Sequence, residues 1–372
     1  MKRHLGSLGR VAPQSRFIKG FGLVEMMVSV VIGMFAVMVM MQVLSNSESN
    51  KRASTGGNDA MIEGVTALYS LQRDIRMAGY GITDSRLMGC SLVLRAGVTI
   101  PSLAPATINM ANITGQDTNT DTLMVIYGSS FASTQGDNIT SAGSTQNSGM
   151  FSANDYVVEA PQSRSTAACS ITLDTVLASS TTSVTLSGNS MTPNDTLFNL
   201  GQTLTVAVYA VRNGNLSRCD YVTNDCGSAA NNASTSVWVP VGSNIVSLRA
   251  QYGRDTAAIG SMDGYVDIFD QSTPATSSVA DACLWARISA IRYAIVARSP
   301  QYEKEVVTGA TVTYVTTAAP LWDGTLSGNP TGSAATPIVL NANSTWQNYR
   351  YRVFQMVAPI RNSAWMGAVS GC

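Results

Sequence analysis

A chain of 372 residues is long enough for one large domain or two small ones, each with a genuine core. Only 12% of it is charged while the apolar fraction is ordinary, which excludes a disordered acidic or basic chain and suits a β-rich domain outside the cytoplasm. The formal charge is zero but unevenly placed: Lys2, Arg3, Arg10, Arg16 and Lys19 lie in the first 20 residues with no acid, leaving 18 basic against 23 acidic side chains. The remainder therefore has no electrostatic case for nucleic acid as a partner.

The first element is the apolar run Phe21 to Leu44, interrupted by one charge, Glu25. As a helix of 24 residues it would extend ~36 Å, enough to cross a hydrocarbon layer of ~30 Å. It exceeds a secretory h-region and has no Ala-x-Ala site after it. The basic residues before it predict that the first 20 residues stay in the cytoplasm and the rest lies outside.

An acid near one end of such a helix is costly unless it is paired or sits at the interface. A cut after Gly20 would place a new ammonium on Phe21, four residues before Glu25, so that the carboxylate answers its own or a neighbouring amine. The plainer alternative is an ordinary anchor with Glu25 among the headgroups.

The stretch Gly20-Phe21-Gly22-Leu23-Val24-Glu25-Met26-Met27-Val28 resembles the class III signal of type IV prepilins. The resemblance implies that a membrane aspartyl prepilin peptidase cuts after Gly20 and methylates Phe21, and that Glu25 neutralises the amine of an adjacent subunit during assembly. Gly22 departs from the commoner Thr.

After Ser45 the sequence turns polar as far as Gly57, where the helix is expected to loosen. Met61, Val65, Leu68 and Ile75 then form a stripe expected to lie against a domain, and Ala78-Gly79-Tyr80-Gly81 ends the helix. Beyond Cys90 the period changes to two. Strands are expected at Asp121 to Tyr127, Leu204 to Arg212, Val246 to Tyr252, Ile291 to Ala297 and Tyr349 to Val353. The Ser/Thr/Gly/Asn tracts 129–149 and 322–345 read as loops.

Several segments resemble the PilW group of minor pilins: Leu71 to Gly81, Asp121 to Leu123, Leu248 to Asp255 with Asp263-Gly264, Ile288 to Ser299, Tyr351-Arg352 and Pro359 to Asn362. The J-type pseudopilins of type II secretion share the general plan. The fold implied is α+β and pilin-like: a long N-terminal transmembrane and amphipathic helix packed on an elaborated antiparallel β-sheet domain.

The layout expected is a leader at 1–20, a membrane part at 21–44, an amphipathic continuation at 45–80 and a β-rich domain at 81–372, with a subdomain at 90–235. Partners implied by the resemblance are other minor pilins, the major pilin, the prepilin peptidase, the inner-membrane assembly platform and a tip adhesin. The protein would begin as a single-pass inner-membrane protein with its domain in the periplasm and end in a surface fibre. A membrane-tethered binding module that never polymerises is the alternative from another class.

Six cysteines, Cys90, Cys169, Cys219, Cys226, Cys283 and Cys372, fall on the outer side. An even count in an oxidising compartment predicts disulfides, with Cys219–Cys226 the favoured short loop and the other pairings open. No Cys-x-x-Cys occurs, and the one histidine, His4, lies in the leader, so neither a zinc or iron site nor a His-based triad is expected. No Gly-x-Ser-x-Gly frames a serine nucleophile, so neither an enzyme nor a cofactor is expected. Asp255, Asp263, Asp267 and Asp270 crowd one loop that offers oxygen ligands to calcium but lacks EF-hand spacing, and a solvated turn is the plainer reading. Trp346 and Trp365 are aromatics for a partner or, more plainly, for the core.

Overall fold

The computed structural model describes residues 20, 22–82, 84–131, 135–164, 169–258, 260–275, 279–309, 320–340 and 344–364. It divides into two compact units, one ending at Ser54 and one beginning at Thr55. His4, Phe21, Trp365 and Cys372 lie outside the described residues.

The first helix, α1, spans Leu23–Met77. In the first unit its segment Leu23–Glu48, with a mean hydropathy of 2.4, is long and apolar enough to cross a membrane by length and composition. Its apolar side chains are exposed all round, from Val28 at 50% to Leu23 at 78%. The expected loosening between Ser45 and Gly57 does not occur, for this stretch is helical throughout. Glu48 precedes Lys51 by three residues, a spacing and order that favour a helix.

In the second unit α1 meets the sheets through only half of the expected stripe: Ile75 is buried and Leu68 packs against the core. The buried seam is Gly56, Ala60, Gly64, Ala67, Leu71, Ile75 and Ala78, whereas Met61 and Val65 point outward at 53% and 48% exposure. Small residues win because the backbone lies too close for larger ones. A Cβ on Gly64 would stand 2.0 Å from the Phe354 ring, and one on Gly56 2.4 Å from Ser299 Oγ. Helix α1 ends where Gly79 takes φ 84°, and the Gly79 N–H leaves the helix to donate to Ile126 O at 2.8 Å.

A four-stranded antiparallel sheet has the order Ile268–Asp270, Ile245–Arg254, Ile288–Arg298, Tyr351–Pro359. A five-stranded sheet runs Val239–Gly242, Asn215–Asp220, Thr205–Arg212, Leu123–Tyr127, Ala106–Ile108. Its central strands are buried on both faces. Ala207, Tyr209 and Val211 join the core against α1, while Val206, Val208 and Ala210 join a second core on the far side. Burial on both faces is why this segment reads as a continuous apolar run.

The third sheet, of eight strands within 91–201, closes that second core. It departs from the all-antiparallel expectation at one pair, since Ser91–Arg95 and Ser170–Ser179 run parallel from Ser91 opposite Ser170. The Cys90–Cys169 disulfide joins the two residues immediately before them. The tract 129–149, expected as a loop, holds strands Asp137–Ser141 and Ser144–Thr145. Its apolar signal is the single buried Ile139, and its polar side chains bond within the sheet, as Asp137 does to Asn147. Taken together, the fold is α+β, with an N-terminal helix and mixed, mainly antiparallel sheets.

Candidate functional site: the two ends of the N-terminal helix

At the N-terminal end, Gly20 is exposed. The Glu25 carboxylate accepts the backbone N–H of Gly22 at 3.1 Å. Because α1 begins at Leu23, Gly22 is the cap residue and Glu25 stands third in the helix, so this bond is half of a capping box. The carboxylate thus serves one of the helix's orphan N–H groups, and its side chain is directed back toward the start of the helix.

The C-terminal end is organised around a buried acid. Asp74, at 0% exposure, accepts the hydroxyls of Tyr209 at 2.7 Å and Tyr127 at 3.2 Å, tying α1 to two strands of the five-stranded sheet. Arg73 Nε approaches the same carboxylate at 3.4 Å and Arg218 Nε at 3.8 Å. Burial and then the Asp74 charge push the Tyr209 phenol far above its ordinary value, so it stays a donor. Asn362, beyond the last strand, donates to the carbonyls of Met77 and Ala78, each at 3.0 Å. Those carbonyls lie at the C-terminal end of the helix, where the Met77 carbonyl also accepts the Tyr80 N–H at 3.3 Å.

These contacts bring together two segments that are 285 residues apart, Met77 and Asn362 being the measured pair. Between them opens a cleft of about 490 Å³ lined by Tyr69, Gln72, Arg73, Arg76, Met77, Tyr80, Arg361 and Asn362, with no acid on its walls among the described residues. The linear sequence attaches no role to Arg76 or Arg361; the signal for them is three-dimensional.

Further polar groups hold the sheets in place. Buried Asp121 accepts Arg249 at 3.0 Å, Gln271 at 2.7 Å and the Ala250 N–H at 2.9 Å, joining two sheets. Arg292, also buried, donates twice to Gln251 Oε1 at 2.9 and 2.6 Å and to Asn329 O at 2.8 Å, and stacks 4.0 Å from the Phe269 centroid. Burial lowers its pKa, which the Asp323 charge opposes.

The four aspartates of the calcium reading do not converge on a cation site. Asp255 accepts the N–H groups of Ala257, Asp263 and Gly264 and faces Arg287 at 3.7 Å. Asp267 accepts Thr256 twice, Asp270 pairs with Arg254 at 2.8 Å, and Asp263 accepts the Tyr265 N–H. Among the described residues no group of three or more His, Cys, Asp or Glu is placed to hold a metal.

Two disulfides are defined, Cys90–Cys169 and Cys219–Cys226, and Cys283 is also disulfide-bonded. Trp346 is half-buried, with its ring 6.5 Å from that of Tyr351, and lines a cavity of about 340 Å³.

No curated protein and no solved structure matches the chain. Residues 208–362 match the family model of type IV pilus-assembly protein W, PilW. The match takes in the whole four-stranded sheet and ends on Asn362, the residue that caps α1; the segments 71–81 and 121–123 lie outside it. This partial match associates the chain with the machinery of type IV pilus assembly.

Proposed function

We propose that this chain is a minor pilin of a type IV pilus. On this reading residues 1–20 are a leader cut after Gly20, Phe21 is the methylated first residue, 21–44 is the membrane part of the helix, 45–80 its amphipathic continuation and 81–372 the domain displayed outside, with 90–235 as a subdomain. The observation that carries it is the conjunction of the PilW match over 208–362 with the Gly20-Phe21…Glu25 segment heading an apolar helix. Glu25 already reaches back to the first turn in the isolated chain. In a bundle the same carboxylate serves the amine of a neighbouring Phe21.

The subunit starts in the inner membrane with its domain in the periplasm. It meets the prepilin peptidase, the assembly platform, other minor pilins and the major pilin. It helps to prime the fibre and stands at its tip, where an adhesin is a candidate neighbour.

The test is mass spectrometry of sheared surface filaments, reading the N-terminal peptide and the copy number against the major pilin. A peptide beginning at methylated Phe21 in trace amount is the expected result. Processed protein confined to the membrane and required for secretion would make the chain a pseudopilin instead. An intact leader would overturn both readings and leave a tethered binding module.

A further inference from the structure

The two segments that meet at the end of α1, 71–81 and 359–362, contain residues of two kinds. Leu71, Asp74, Ile75, Ala78 and Ile360 are buried and fully occupied in packing or in the Asp74 hub. Arg73, Arg76 and Arg361 are exposed, and all three face the one cleft of about 490 Å³. Arg73 is anchored by Asp74 while its side chain remains 69% exposed. Arg76 and Arg361 have no acidic partner among the described residues. Asn362 fixes the position of the Arg361 segment by its two bonds to the end of α1.

Three guanidinium groups held around one concavity, with no carboxylate on its walls among the described residues, form a receptor for negative charge. Planar, forked donors suit carboxylates. Tyr69 at 65% exposure and Met77 at 45% add apolar surface beside them, which a bare phosphate has no use for and an amphipathic peptide does. Beyond its first 20 residues the chain itself is net acidic, 18 basic against 23 acidic, so this basic concavity stands against the sign of the rest.

We propose that the cleft between α1 and Arg361 is a docking site for an acidic peptide segment of a partner protein, its carboxylates taken by Arg76 and Arg361 and its apolar side chains lying on Tyr69 and Met77. The site does not require that the chain be processed or polymerised. Cleavage after Gly20, scored in the same samples, separates failure of this inference from failure of the pilin reading.

The experiment is photo-crosslinking in cells that make the full chain, with p-benzoylphenylalanine in place of Gln72 on the cleft wall and the adduct mapped by peptide mass spectrometry. The expected adduct is a segment of another protein with Asp or Glu within a few residues of the linked position. Arg76→Glu and Arg361→Glu should each lower its yield at least tenfold, while Arg76→Lys and Arg361→Lys keep most of it. Arg76→Gln and Arg361→Gln replace the Glu variants if those do not accumulate, with the protease-resistance pattern as the folding control. An adduct to lipid, one within the chain itself, a yield indifferent to the arginines, or no adduct would each overturn the proposal.

Discussion

Replacing Asp74 tests whether α1 is held to its domain by a polar hub as well as by apolar packing. Asp74→Ala deprives two tyrosine hydroxyls, at 2.7 and 3.2 Å, of their acceptor, and Tyr209 is buried at 2% exposure. Hydrogen bonds to a charged acceptor are worth roughly 1.5–3 kcal/mol each, and a buried hydroxyl left alone costs about 1–3 kcal/mol. Removal of a buried acid offsets part of that, because its own desolvation is relieved. The net expectation is a loss of about 2–4 kcal/mol. Tyr209→Phe should cost less, since Asp74 keeps Tyr127 and the two arginines. In the double variant the losses should fall short of additivity by about 1–2 kcal/mol. The assay is guanidinium denaturation of the full chain in detergent, disulfides intact, followed by tryptophan fluorescence. A loss under about 0.5 kcal/mol for Asp74→Ala, or strict additivity with Tyr209→Phe, would refute the hub.

Gly64→Ala should destabilise despite the better helix propensity of alanine, worth about 1 kcal/mol, because the new Cβ meets the Phe354 ring at 2.0 Å. Thermal melts should show the sign reversing when Phe354→Leu makes room. Acid should weaken the domain through Asp255 and Asp174, whose pKa values lie below the ordinary 3.8. Burial alone would raise both; backbone N–H groups with Arg287 at Asp255, and Ser187 with backbone N–H groups at Asp174, outweigh it. Their folded values being depressed, this stability is complete above the unfolded value and lost as pH falls through the folded one. Denaturation from neutral pH down to about pH 2 should therefore steepen in the acid limb, and Asp255→Asn should flatten part of it. Non-reducing peptide mapping is expected to link Cys283 to Cys372, the two cysteines outside the two defined bonds; a free thiol at Cys283 would contradict this. Glu25→Ala should abolish incorporation into sheared filaments while leaving the domain's melting temperature unchanged; normal incorporation would remove Glu25 from assembly.

The sequence made some of this legible and hid the rest for physical reasons. The run Thr205–Arg212 is visible because burial on both faces demands apolar side chains at every step. The helix end at Gly79 is visible because a positive φ there favours glycine. The seam of α1 was legible at Leu68 and Ile75 but hidden before them, since close approach selects Gly64 and Ala67, which have little hydropathy to show, while the larger Met61 and Val65 attract the eye and face outward. The strand Asp137–Ser141 was hidden for a related reason, its polar residues reading as loop. Neither the partner of Cys90, which lies 79 residues away, nor the cleft at Arg361 follows from any local pattern.

The bonds from Asn362 to the end of α1 also set an order of events. Helix α1 is synthesised before the sheets it packs on, yet its end is satisfied by Asn362, 285 residues after Met77, and Phe354, which covers Gly64, emerges scarcely sooner. The docking of α1 is therefore complete only once Tyr351–Pro359 and Asn362 have been made, the slow, non-local kind of closure. Until then the part of the seam at Gly64 lacks its cover, an interval in which a chaperone or a sibling chain has its opportunity. A chain truncated before residue 350 would lose the strand Tyr351–Pro359 and the cap together, and with them the means of completing the element it made first.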